Sequence, residues 1–129
     1  MIERYTRPAM GEIWSDDNRL RAMLRVEEEL LKAIAEDKGV PASELKALRR
    51  LLDKSMLDAA RRKESVAGHE VIGMLSAVAG ELKSKAPKVD RYLHYGMTSS
   101  DVLDTSMALQ LRDSADLLIT GLEAVSKRL

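Results

Sequence analysis

The sequence has two imidazoles, His69 and His94. Both fall where irregular chain meets a helical pattern, so each side chain points toward free N–H groups and the positive end of a helix dipole, a setting that suits anions. An imidazole there serves equally well as a cap or a packing residue. A second group is the run Tyr92-Leu93-His94-Tyr95-Gly96-Met97-Thr98-Ser99-Ser100-Asp101. Its glycine permits a tight reversal, after which three hydroxyls and their backbone N–H groups face one point and the histidine adds a donor or a charge. Thr98 and Asp101 alone would make an ordinary helix cap, but capping leaves His94, Gly96 and Ser99 unexplained. A third pair, Arg4-Tyr5, offers a guanidinium for paired contacts to a phosphate and a ring to flank a base. By itself that pair carries no weight. No Glu-x-x-His, His-Glu-x-x-His, P-loop or Gly-x-Gly-x-x-Gly pattern occurs, so the sequence gives no support to a metal site or a nucleotide-binding fold and no cofactor is expected.

These groups depend on helices to place them. Ser15 is a suitable N-cap, followed by Asp16 and Asp17, and Leu20, Met23, Leu24, Leu30, Leu31 and Ile34 recur every three or four residues until Gly39 and Pro41. That predicts a long amphipathic helix over 16–37. Ser43 is expected to cap a second helix carrying Leu45, Leu48, Leu51 and Leu52, and Ser55 with Asp58 signals a third. The stretch Ser65–Gly68 breaks the pattern, and a helix resumes at Glu70 and runs through Leu82, which puts His69 at a helix start. Residues 1–9 read as an extended lead-in and 87–97 as a non-helical link. Beyond Thr98, Leu103, Met107, Leu111, Ala115, Leu118, Leu122, Val125 and Leu129 form an apolar stripe still running where the sequence stops, so an artificial carboxyl-terminal boundary is expected.

Composition agrees. Hydrophobic residues make up 45% but aromatics only 3%, with no Phe, and the Leu, Ala, Met, Glu, Lys and Arg that dominate are strong helix formers. The expected class is all-α. Lys+Arg and Asp+Glu both number 21, a balance that leaves no electrostatic footprint for nucleic acid or an anionic membrane. There is no cysteine, hence no disulfide or thiolate, and a reducing compartment, the cytoplasm by default, is expected. No apolar run approaches the ~20 residues that span a bilayer, and the start lacks the apolar core of a signal peptide.

Taken together and in order, Arg4-Tyr5, Gly68-His69-Glu70-Val71 and His94-Tyr95-Gly96-Met97-Thr98-Ser99-Ser100-Asp101-Val102-Leu103-Asp104-Thr105 resemble the opening third of the adenylosuccinate lyase family, within the fumarase/aspartase superfamily. The resemblance implies a helical amino-terminal domain of the L-aspartase-like fold over residues 1–98, then the start of a long central-bundle helix over 99–129. It also implies a C–N lyase of purine and AMP biosynthesis, which releases fumarate from adenylosuccinate and from the succinylated aminoimidazole carboxamide ribotide. By resemblance, Arg4 and Tyr5 contact the nucleotide end of the substrate. Thr98 and Ser99 hold it at its succinyl part, and His94 matches a histidine associated with its phosphate. His69 and Glu70 also contact the substrate, and His69 lies next to the reacting centre in a supporting catalytic role. Such an elimination needs a base, an acid and stabilisation of a transient carboxylate charge. The family's serine base and histidine acid lie further along, outside these 129 residues, so this chain alone is expected to be inactive. Family members usually have Arg or Asn before the equivalent of His69 and Asp after it. Gly68 here leaves any contact to backbone, and Glu70 carries its charge on a longer arm.

The family resemblance implies a homotetramer whose sites draw on three subunits. For the present chain, the uncovered stripe implies a dimer or higher oligomer through 103–129, or else a helix folded back on its own amino-terminal domain. Two other readings remain: a superfamily lyase with another succinyl-type substrate, and a helical interaction module that binds a partner along 103–129 without chemistry.

Overall fold

Residues 3–52 and 56–129 are described by a computed structural model, and among them the secondary structure is a 3₁₀ turn at Glu3–Tyr5 and seven α-helices. These are α1 (Pro8–Ile13), α2 (Asp16–Lys38), α3 (Ala42–Leu52), α4 (Leu57–Ala67), α5 (Glu70–Leu82), α6 (Pro87–Tyr92) and α7 (Ser99–Ser126). The all-α expectation holds.

Local signals set most boundaries. Ser15 Oγ accepts from the Asn18 N–H at 3.1 Å, and Asp16 and Asp17 fill the first turn of α2. Gly39 closes that helix in the left-handed conformation, φ 62°. Gly68 does the same for α4 at φ 66°, and the expected break at 65–68 contracts to that one residue: 65–67 stay helical, with the Ser65 hydroxyl donating back to the Arg62 carbonyl. Ser43 lies inside α3, because the Pro41 carbonyl already accepts from the Glu44 N–H at 2.9 Å. Ser55 falls outside the described residues, while Asp58 sits in the first turn of α4.

Two segments expected to be non-helical are helices. The lead-in is a 3₁₀ turn followed by α1, and the 87–97 link contains α6. Both α1 and α6 begin on a proline, which suits the first helical turn because its missing N–H has no intrahelical partner there. In α6 the next two N–H groups, of Lys88 and Val89, are taken by Glu44 Oε2 of α3 at 2.7 and 3.1 Å, a cap supplied from a distant part of the chain.

Packing around α2 forms the interior. Leu24 and Leu31 of α2, Leu48 of α3, Met74 and Val78 of α5 and Val102 of α7 are all fully buried. Helices α4 and α5 cross closely at Gly73, where the Cα–H faces the backbone of Glu64. The first half of α7 lies against α2 and α1 on Val102, Ser106, Gln110 and Ser114, so its packed face is largely polar. Gln110 Nε2 donates to the Ile13 carbonyl at 2.7 Å, and Asn18 Nδ2 donates to the same oxygen at 2.8 Å. The apolar stripe points the other way: Leu103 is half-buried against the core, but Met107, Leu111, Leu118, Leu122 and Val125 are exposed.

Candidate functional site

The turn between α6 and α7 builds the more complete cluster. His94 takes a left-handed backbone, φ 61°, rare for a residue with a Cβ, and Gly96 follows at φ 76°. The double reversal swings the chain onto the start of α7. There the Thr98 N–H and hydroxyl both donate to Asp101 Oδ2, at 2.6 and 3.0 Å, the box-like arrangement the spacing predicts. The backbone bond from Thr98, then the bond from its hydroxyl, hold the Asp101 carboxyl below the usual aspartate range, and the nearby His94 lowers it a little further. Ser99, half-buried at the first helical position, has no side-chain hydrogen bond to any other described residue. Tyr92 and Tyr95 pack edge to face at 5.5 Å between ring centres, and the Lys38 ammonium sits 4.9 Å from the Tyr95 centroid.

His94 is gripped from below. Glu27 of α2 is fully buried; its Oε2 accepts from the His94 N–H at 2.8 Å and its Oε1 lies 2.7 Å from His94 Nδ1. Sequence reasoning missed this carboxylate. The signal was available, since Met23, Leu24, Glu27 and Leu31 continue one three-and-four spacing and place Glu27 on the buried line of α2.

His69 is the N-cap of α5, in extended backbone directly after the left-handed Gly68, and its Nδ1 is buried with no hydrogen-bond partner. The Glu70 carboxylate forms a two-point ion pair with Arg19 of α2, at 2.8 Å to Nε and 2.7 Å to Nη2. Both Glu70 oxygens are thus occupied by an intramolecular cation. Arg19 is a second residue the sequence reading did not single out.

Arg4 and Tyr5 lie elsewhere. The Arg4 guanidinium stacks 4.8 Å from the ring centre of its neighbour Tyr5, which is 73% exposed. Tyr5 borders an open apolar groove of about 450 Å³ whose far wall is Leu117, Leu118, Leu122 and Val125 of α7. Leu117 is about 27 Å along the helix axis from Ser99 at the ~1.5 Å rise of an α-helix. Within one chain, then, the fold unites His94, Thr98, Ser99 and Asp101 and keeps Arg4-Tyr5 apart from them.

Comparison with known proteins adds the following. Residues 3–129 match the family described as Lyase. The chain is 34% identical over 131 residues to the adenylosuccinate lyase of Aquifex aeolicus, covering 100% of this chain and 29% of that protein. It is 40% identical over 126 residues to the adenylosuccinate lyase of Synechocystis, covering 95% and 27%, and 37% identical over 116 residues to the 3-carboxy-cis,cis-muconate cycloisomerase of Pseudomonas putida, covering 88% and 28%. The crystal structure of the P. putida 3-carboxy-cis,cis-muconate lactonizing enzyme superimposes with a TM-score of 0.76 at 36% identity, over 88% of this chain and 26% of that one. The chain therefore spans less than a third of the length of the relatives it matches.

Proposed function

The chain belongs to the lyase family that it matches over residues 3–129, and from that premise we propose that it is the amino-terminal part of an adenylosuccinate lyase, which eliminates fumarate from succinylated purine nucleotides. The observation that carries the reading is the turn into α7: a buried carboxylate holds His94 beside a capped helix start at which the Ser99 hydroxyl has no protein partner. Backbone N–H groups at a helix start, a hydroxyl and an imidazole suit a carboxylate or phosphate oxygen. In this reading Thr98 and Ser99 hold the succinyl group, His94 an oxyanion of the same substrate, and Arg4 and Tyr5 its nucleotide end. His69 orients or balances charge at the reacting centre, and Glu70, paired with Arg19, stands next to it at the start of α5. The base and the acid come from residues beyond this chain.

The separation of Arg4-Tyr5 from Ser99 supports sites shared between subunits: each group serves a different site of a homotetramer. The exposed stripe of α7 is the proposed surface for self-association. No helix among the described residues is long and apolar enough to cross a membrane, in keeping with a small-molecule enzyme of the cytoplasm.

A second reading, a cycloisomerase acting on 3-carboxy-cis,cis-muconate, is favoured by the structural likeness to the P. putida enzyme. One experiment separates the two. The full-length protein carrying this chain is given adenylosuccinate and 3-carboxy-cis,cis-muconate in parallel, and fumarate release and muconate consumption are followed. Fumarate from adenylosuccinate alone is the expected result. Turnover of the muconate alone would install the second reading, and turnover of neither would leave a lyase of another succinyl-type substrate or a helical module without this chemistry. The 129-residue chain by itself is expected to release no fumarate above a protein-free control.

A further inference from the structure

Glu27 is wholly buried, and a buried carboxylate is costly unless its hydrogen bonds are met. Both of its oxygens are satisfied by one residue. Oε2 takes the His94 backbone N–H at 2.8 Å and Oε1 takes the ring Nδ1 at 2.7 Å, so the carboxylate fixes the backbone and the ring of the same residue together. That grip coincides with the positive φ of His94, 61°, a conformation a non-glycine residue rarely adopts and that persists only where surroundings impose it. The other carboxylate whose charge is felt at His94, Asp101, is engaged by Thr98 and does not displace Glu27. A structural ion pair needs only opposite charges in reach, whereas this two-point contact specifies which ring nitrogen bears the first proton.

We propose that Glu27 is a positioning residue that holds His94 as the Nδ1–H tautomer and so reserves Nε2 for an oxyanion of the substrate at the amino end of α7. This rests on reading residues 94–101 as part of the substrate site. In the neutral ring Nε2 is an acceptor. A second proton, placed on Nε2, makes it a charged donor to the substrate oxyanion, with Glu27 balancing the cation from the other side.

The test has two parts. In the 129-residue chain labelled with ¹⁵N-histidine, the ring nitrogen shifts of His94, assigned with the aid of His69→Gln, report the tautomer at a pH where the ring is neutral. The expected form is Nδ1–H in the unaltered chain and in Glu27→Asp. Nε2–H is expected in Glu27→Gln, because a side-chain amide that accepts the His94 N–H through its oxygen presents its own N–H to Nδ1. In the full-length lyase, Glu27→Gln should lower kcat/KM on adenylosuccinate by about tenfold or more, the scale of one hydrogen bond to a charged group, and Glu27→Asp should recover part of it. Nε2–H in the unaltered chain overturns the proposal, and this needs no variant to fold. So does a Glu27→Gln protein whose tautomer changes while kcat/KM does not, or in which neither changes. If the unaltered lyase fails to turn over adenylosuccinate, the functional reading falls instead, and the tautomer still decides the role of Glu27.

Discussion

Gly73 and Gly80 allow the same substitution to be made twice on one helix with opposite expected signs. Replacing an interior helical glycine by alanine stabilises by about 1 kcal/mol where nothing obstructs the methyl group. At Gly80, exposed and with no atom within 4 Å of the added carbon, that gain should appear whole. At Gly73 the new Cβ would stand 2.7 Å from both Cβ and N of Glu64 and 2.8 Å from its Cα. Those atoms belong to the α4 backbone or sit directly on it, so no rotamer change relieves the clash. Comfortable carbon–carbon contact begins near ~3.5 Å, so α4 must retreat by roughly 1 Å, and overpacking of that kind costs about 1–3 kcal/mol. Net of the helical gain, Gly73→Ala should be neutral to about 2 kcal/mol less stable than the unaltered chain, and should lie about 1–3 kcal/mol below Gly80→Ala. Urea unfolding followed by circular dichroism, with slopes of ~1–3 kcal/mol per molar, would separate the two midpoints by roughly 1 M. Because α4 ends at Gly68 and α5 begins after His69, the retreat also displaces His69, and kcat/KM of the full-length enzyme should fall for Gly73→Ala only. Equal midpoints, or a Gly73→Ala protein more stable than Gly80→Ala, would refute the close α4–α5 crossing.

Ser99→Ala in the full-length enzyme should lower kcat/KM by about tenfold, one hydrogen bond to a charged ligand, whereas Ser106→Ala, whose buried hydroxyl donates to the Leu103 carbonyl, should act on stability; equal kinetic effects would remove the case for a ligand at Ser99. Asp101, held below the usual ~3.9 of an aspartate, adds stability that is present above that value and is lost as pH falls through its folded value. Asp101→Asn should therefore be less stable than the unaltered chain at neutral pH, with the gap in urea midpoints closing in strong acid; a constant gap would contradict the cap. Sedimentation of the 129-residue chain should show a dimer or larger species that Leu118→Glu with Leu122→Glu converts to monomer, since each leucine removed from water contributes about 1.5–3 kcal/mol; a monomeric parent chain would contradict self-association through α7.

What could be read from the sequence was set by contacts short in sequence. Ser15, Gly39, Gly68 and the Thr98–Asp101 box each act within one turn, and each stands where its residue type places it. Residues 1–9 and 87–97 lack a helical period, yet Pro8 and Pro87 each start a helix there, because a proline breaks a helix interior but suits its first turn, and the cap that completes α6 comes from Glu44, 44 residues earlier. The same distance effect hid the support of the site. Thr98 and Ser99 were visible in the local string, but Glu27 meets His94 from 67 residues away, and the Glu70 pair with Arg19 spans 51. The apolar periodicity of α7 was legible, yet the face that packs on α1 and α2 carries Ser106, Gln110 and Ser114, a pattern no hydrophobic period reports.

That polar seam works as an index mark. The Ile13 carbonyl accepts two amide donors, from Asn18 and Gln110, at the corner where α1 gives way to α2. A seam of alanine and leucine would tolerate α7 sliding by a turn. Here a slip of ~5.4 Å would strand the Gln110 amide in a buried interface, at a cost of about 1–3 kcal/mol. The long helix is thereby keyed to the corner that leads back to the Arg4–Tyr5 segment, so the axial position of its exposed half is set at one carbonyl.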